Sequence, residues 1–149
     1  MKLATLCARS EHCQHDMLEK MRQWEVDEET QAQVMERLVK EHYVDDERYT
    51  RAFVHDKIQY NQWGRRKIEQ ALWLKHIDAD TVKAVLDEVD DEEYIAILRP
   101  LLKQKRKSVK ARNDYEQNLK LMKWAMGRGF TFDIIRQCMT IEDEDEFLD

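Results

Sequence analysis

Ile68-Glu69-Gln70-Ala71-Leu72-Trp73-Leu74-Lys75-His76-Ile77-Asp78 (residues 68–78) decides the fold. Ile68 and Leu72 stand four apart, the spacing of one helical face, and Ile77 precedes Asp78, whose carboxylate suits a helix start. The arrangement recurs. Val26 lies 51 residues before Ile77 (26 to 77), and Phe130 lies 53 after it (77 to 130). On that alignment Asp27, Asp78 and Thr131 superimpose as cap residues, and they are followed by the apolar pairs Val34-Met35, Val85-Leu86 and Cys138-Met139. Upstream, Met17 and Met21 match Ile68 and Leu72, and then Leu121 and Ala125. A fourth cap, Asp45, precedes Tyr49, Phe53 and Ile58, and the runs Asp45-Asp46-Glu47-Arg48-Tyr49 and Asp90-Asp91-Glu92-Glu93-Tyr94 match each other.

The periodicity is helical almost throughout, with no strand alternation. It predicts an all-α chain of three tandem three-helix repeats forming an elongated, curved array. The repeats span 1–44, 45–89 and 90–141, with an acidic tail at 142–149. One such unit is too small to bury its apolar face, so neighbours must stack. Pro100 falls in a helical run and should kink it near residues 96–100. Gly127 and Gly129 suit a helix end before Thr131.

Composition narrows the class. With 149 residues there is room for one domain or a short repeat array, and 38% charged residues with 3 Gly and 1 Pro disfavour a turn-rich β architecture. Cys7, Cys13 and Cys138 are an odd number without disulfide-scaffold density, and no signal-peptide pattern precedes them, so a reducing cytoplasm is expected. Charged residues interrupt every apolar run before it reaches about 20 residues, which argues against a membrane protein.

The net charge of -6 is carried by Glu142, Asp143, Glu144, Asp145, Glu146 and Asp149, leaving the rest formally neutral. Residues 95–112, by contrast, hold Arg99, Lys103, Lys105, Arg106, Lys107, Lys110 and Arg112 with no acid. Such a block reads as a contact surface for phosphates or an acidic protein, against the plainer reading of a solvated helix face. Arg65, Arg66 and Lys67 beside Trp63 and Tyr60 form a smaller candidate, where ring stacking on bases competes with core packing as the preferred role. Packing is also the expected role of Trp24, Trp73 and Trp124.

Other chemistry is poorly supported. A helix-turn-helix over 62–86 would have to place Asp78, Asp80, Asp87 and Glu88 against DNA with only Lys83 to compensate. Cys7, His12, Cys13 and His15 are zinc-ligating types, but their spacing matches no familiar module. No phosphate loop, His-Glu-x-x-His helix or nucleophile elbow is present, so neither catalysis nor a cofactor is expected. For the acidic tail, a solubilising role stands beside cation binding, DNA mimicry or folding back on the basic block.

Tyr43-Val44-Asp45-Asp46-Glu47-Arg48-Tyr49-Thr50-Arg51-Ala52-Phe53-Val54 resembles the signature of the RecX family of recombinase regulators. Trp63-Gly64-Arg65-Arg66-Lys67-Ile68 is similar to that family's second repeat, and Lys120-Leu121-Met122-Lys123-Trp124-Ala125-Met126-Gly127-Arg128-Gly129-Phe130 to a recurrent helix ending. Ala8-Arg9-Ser10-Glu11-His12 with Met17 and Met21 resembles the first repeat. There are departures: Cys13 replaces a capping serine, Trp24-Glu25-Val26 a Lys-Gly-aromatic ending, and Arg65 a proline. The resemblance implies a cytoplasmic, non-catalytic protein that binds RecA, lodges in the groove of the RecA–DNA filament, and restrains recombination, ATP hydrolysis and repressor self-cleavage in DNA repair and the SOS response. Contacts would then fall to Arg65, Arg66, Lys67, Arg99, Lys103, Lys105, Arg106, Lys107, Lys110, Arg112 and Arg128, with weak direct DNA binding besides. The alternative is a general single-stranded DNA-binding protein that competes with recombinase for DNA.

Overall fold

Each helix start read from a cap residue is made by that side chain. In the computed structural model, which describes residues 2–139, the Asp27 carboxylate accepts from the Thr30 N–H (3.3 Å) and Asp45 from that of Arg48 (3.0 Å). Asp78 accepts from Thr81 (3.2 Å), and the Thr131 hydroxyl from Ile134 (3.4 Å). Each bond satisfies one backbone donor that a first helical turn leaves open, typically worth about 1 kcal/mol. The helices are α1 Lys2–Arg9, α2 Gln14–Gln23, α3 Glu28–Lys40, α4 Asp46–Gln59, α5 Arg65–Leu74, α6 Ala79–Asp87, α7 Asp91–Arg106 and α8 Asp114–Gly127. Residues 132–139 are also helical, and no strand occurs among the described residues. The architecture is all-α, in tandem three-helix groups. α7 runs through Pro100, whose ring nitrogen has no hydrogen for the carbonyl four residues back.

Two compact units pack separately. The first holds the chain to Val54 together with Ala71–Val85. Its centre is Leu3, Met17, Met21, Met35, Leu38 and Val44, with Leu6, Leu18, Val26 and Val34 packed around them. Burying each large side chain contributes about 1.5–3 kcal/mol. Polar groups tie the same unit: Lys75 Nζ meets Asp16 Oδ1 at 2.6 Å, Arg48 Nε meets Glu11 at 2.7 Å, and the Gln14 N–H donates to Asp46 at 2.9 Å. Burial pushes the Asp16 carboxyl upward, but the hydrogen bond and charge of Lys75, together with hydrogen bonds from Cys13, outweigh it and hold that carboxyl below its ordinary range.

The second unit holds His55–Gln70 and the described residues from Leu86. Ile58, Ile68, Leu98, Leu102, Leu121, Phe130 and Ile135 are almost fully buried in it. Gly64 lets two backbones touch: its N–H donates to the Arg128 carbonyl and the Arg66 N–H to that of Gly129, both at 2.9 Å.

The repeat has a backbone basis beyond its apolar spacing. Glu25 (φ 58), His76 (φ 56) and Gly129 (φ 95) are left-handed, and each immediately precedes its repeat's anchor, Val26, Ile77 or Phe130. The Val26 N–H returns to the Met21 carbonyl (3.0 Å) and that of Phe130 to Ala125 (3.2 Å), closing the preceding helix and turning the anchor inward. Glycine adopts this conformation without the roughly 1–2 kcal/mol that a Cβ adds. Glu25 therefore makes the same turn as Gly129 and bears that cost.

Candidate functional site

Ile95, Leu98 and Leu102 bury one face of α7, which leaves Lys103 exposed on the other. The basic block is not one helix face, because α7 ends at Arg106 and residues 107–113 form a connection closed by Asn113, which accepts from the Glu116 N–H at 2.9 Å. Basic residues offset the negative end of the helix dipole, which accounts for Lys103, Lys105 and Arg106 in the last turn. It does not account for Lys110 and Arg112, which lie beyond it.

The candidate cations separate into two groups. Lys103, Lys107, Lys110 and Arg112 are exposed, and among the described residues their side chains have no ion-pair partner. Lys105, by contrast, lies over the Trp124 ring at 5.6 Å, and Arg106 reaches Gln117 and Asn118 at 3.3 Å. Arg99 is half-buried, with no hydrogen-bond partner for its Nε among the described residues.

In the smaller cluster, Arg65 pairs with Asp87 at 2.7 Å and stands 4.0 Å from Glu69. Arg128 donates to the carbonyls of Asn61 (2.8 Å) and Gln62 (3.2 Å), an internal brace. Lys67 and Lys57 lie over the Trp63 ring at 4.7 and 5.0 Å, while Arg66 is exposed. The packing role expected of several aromatics is corrected here. Tyr60 is 78% exposed, Trp73 76% and Trp24 45%, because buried aliphatic residues such as Ile58, Leu72 and Met21 already fill the core positions of those helices. Trp63 and Trp124 are half-buried.

The four zinc-type residues do not converge. Cys7 Sγ lies 3.7 Å from Met17 Sδ, His12 Nε2 lies 3.1 Å from Ser10 Oγ, and His15 stacks on His76 with ring centroids 4.7 Å apart. No group of three or more metal-ligating side chains occurs among the described residues. Cys13 is the buried N-cap of α2, and its side chain makes no capping hydrogen bond. Burial, chiefly, pushes its thiol up to about 12. Below pH 9 both folded and unfolded chains keep this proton; between 9 and 12 only the folded chain does, so stability falls as pH rises, by at most about 1.4 kcal/mol per unit from this group. Melting should therefore drop between pH 8.5 and 10.5, and less steeply in Cys13→Ser. Equal losses in a thermal melt series would remove Cys13 as a source.

Tyr94 lines a cavity of about 160 Å³ with Arg65, Asp91, Phe130 and Thr131. Its hydroxyl is buried with no hydrogen-bond partner among the described residues, and burial pushes its pKa up to about 12. An unpaired buried hydroxyl costs about 1–3 kcal/mol. Tyr94→Phe is thus expected to keep or raise the urea midpoint, whereas a loss above about 1 kcal/mol would show that the hydroxyl has a stabilising partner.

These features define an all-helical protein of tandem three-helix modules with an exposed cationic surface, and no described helix is long and apolar enough to cross a membrane. Comparison with known proteins agrees. The RecX second three-helix domain matches residues 45–86 and the RecX third three-helix domain matches 91–139, together more than half of the chain. The chain belongs to the RecX family. It is 31% identical to the regulatory protein RecX of Oceanobacillus iheyensis over 92% of its own length and 51% of that protein's, thus spanning about half of that relative. To the Vibrio campbellii regulatory protein RecX it is 26% identical, over 94% of this chain and 88% of the relative. A crystal structure of RecX from Lactobacillus salivarius shares the fold, with a TM-score of 0.84 at 17% identity over 95% of this chain and 92% of that one.

Proposed function

We propose that the chain is a non-catalytic cytoplasmic regulator that binds RecA and RecA–DNA filaments and mostly inhibits recombination, ATP hydrolysis and coprotease activity. The observation that carries this reading, beside the family, is the exposed set Lys103, Lys107, Lys110 and Arg112, drawn from the acid-free run 95–112. Cations of this kind gain affinity for a nucleoprotein filament by displacing counterions condensed on phosphates. Bridging neighbouring recombinase subunits would inhibit mechanically, provided that one filament state is bound more tightly than the others. The modules are read with boundaries near residues 44 and 89.

The test is DNA-stimulated ATP hydrolysis by RecA with the purified chain added. Inhibition that saturates below one chain per recombinase subunit is expected; unaltered hydrolysis at saturating chain would overturn the reading. A second reading, competition for single-stranded DNA, is favoured by the exposed Tyr60 ring, a group suited to stacking on unpaired bases. It requires equally tight binding to DNA without recombinase.

A further inference from the structure

We propose that the acidic segment 142–149, which lies outside the described residues, docks on the basic connection after α7 and competes there with polyanionic partners. Charge complementarity is the first argument. Glu142, Asp143, Glu144, Asp145 and Glu146 are consecutive acids, whereas 95–112 contains seven cations and no acid. Four of those cations, Lys103, Lys107, Lys110 and Arg112, are exposed without an ion-pair partner among the described residues.

Reach is the second. Cys138 Sγ lies 4.0 Å from the Ile95 carbonyl, so the described chain ends beside α7. Along that helix, Lys103 and Lys107 lie about 12 and 18 Å from Ile95 at 1.5 Å per residue. An extended chain leaving Met139 places residues 142–146 about 10–23 Å away at about 3.3 Å per residue. The acids thus fall in the range of Lys103 and of Lys107 at the start of the basic connection. Attachment through so short a connection gives an effective concentration in the millimolar range, enough for several weak pairs to hold together at low salt. Screening limits the contact, because exposed pairs weaken once the Debye length falls toward 3 Å near 1 M salt.

The docking rests on charge and reach alone; its regulatory effect rests on the proposed contact role of the same cations. A segment docked nine-tenths of the time lowers the apparent affinity of a competing polyanion about tenfold. The experiment compares the full chain with a full-length variant carrying Glu142→Gln, Asp143→Asn, Glu144→Gln, Asp145→Asn and Glu146→Gln. Backbone amide resonances of residues 103–113, recorded without any DNA, report docking; titration with a dT oligonucleotide and with RecA–DNA filaments reports competition. The expected result is that these amide signals move in the variant, that 0.5 M salt moves the wild-type signals in the same direction, and that the variant binds the polyanions about tenfold more tightly at 50 mM salt. The reciprocal variant Lys107→Gln with Lys110→Gln should move the signals of residues 142–146. Unmoved signals in both variants would overturn the docking even where the filament is bound. Moved signals with no polyanion binding by either form would uphold the docking and overturn the contact role.

Discussion

Gly64→Ala is expected to destabilise the fold by about 3–4 kcal/mol. A Cβ there would stand 2.2 Å from the Phe130 nitrogen and 2.4 Å from Gly129 C and Phe130 Cα. All three are backbone atoms, so no side chain can rotate aside. Separating the segments relieves the clash only by stretching the Gly64–Arg128 and Arg66–Gly129 hydrogen bonds, both 2.9 Å. Overpacking of this kind costs about 1–3 kcal/mol, and each weakened hydrogen bond adds about 1. Melting should fall by roughly 10 °C for a chain of this size. Gly127 is the control, since a Cβ there meets nothing within 4 Å and Gly127→Ala should leave stability equal or slightly higher. Equal melting of wild type and Gly64→Ala would refute the close approach.

Reversing Lys103, Lys107, Lys110 and Arg112 together to Glu is expected to cut filament affinity by about 100-fold or more at 50 mM salt. Four phosphate contacts contribute a salt slope of about 3.6, at roughly 0.9 each, and a slope of that size corresponds to about 100-fold between 50 and 200 mM salt. The variant should lose that part of the slope, and its helical circular dichroism should persist because all four side chains are exposed. The same change at Arg65 or Arg128 would be uninformative, because Arg65 is held by Asp87 and Arg128 by two carbonyls. Retention of wild-type affinity and slope by the four-fold variant would exclude this surface.

Much of the fold was legible locally. Asp27, Asp45, Asp78 and Thr131 bond to N–H groups three residues on, so their neighbours in sequence suffice to identify them. The repeat was legible because Val26, Ile77 and Phe130 must all turn inward. What distant segments decide was not legible: Asp46, next to the cap residue Asp45, accepts from the Gln14 N–H, and Gly64 meets Gly129 across most of two repeats. The left-handed conformation of Glu25 and His76 was hidden by side chains that disfavour it, although their equivalence to Gly129 carried the signal.

The site was legible as a run of charge and less so as a surface. Composition cannot distinguish Lys107, which is exposed, from Arg106, which is bonded to α8, and it places no helix end at Arg106. Hydrophobicity alone places Tyr60, Trp24 and Trp73 toward the core. Their exposure follows from which positions on each helix were already filled, and that depends on tertiary packing.

The most direct test of the central claim is equilibrium binding of the purified chain to RecA–DNA filaments, to RecA alone and to bare single-stranded DNA, each at two salt concentrations. Saturable binding that favours the filament over both components is the expected result. Equal affinity for bare DNA and the filament, or no binding to the filament, would contradict the account.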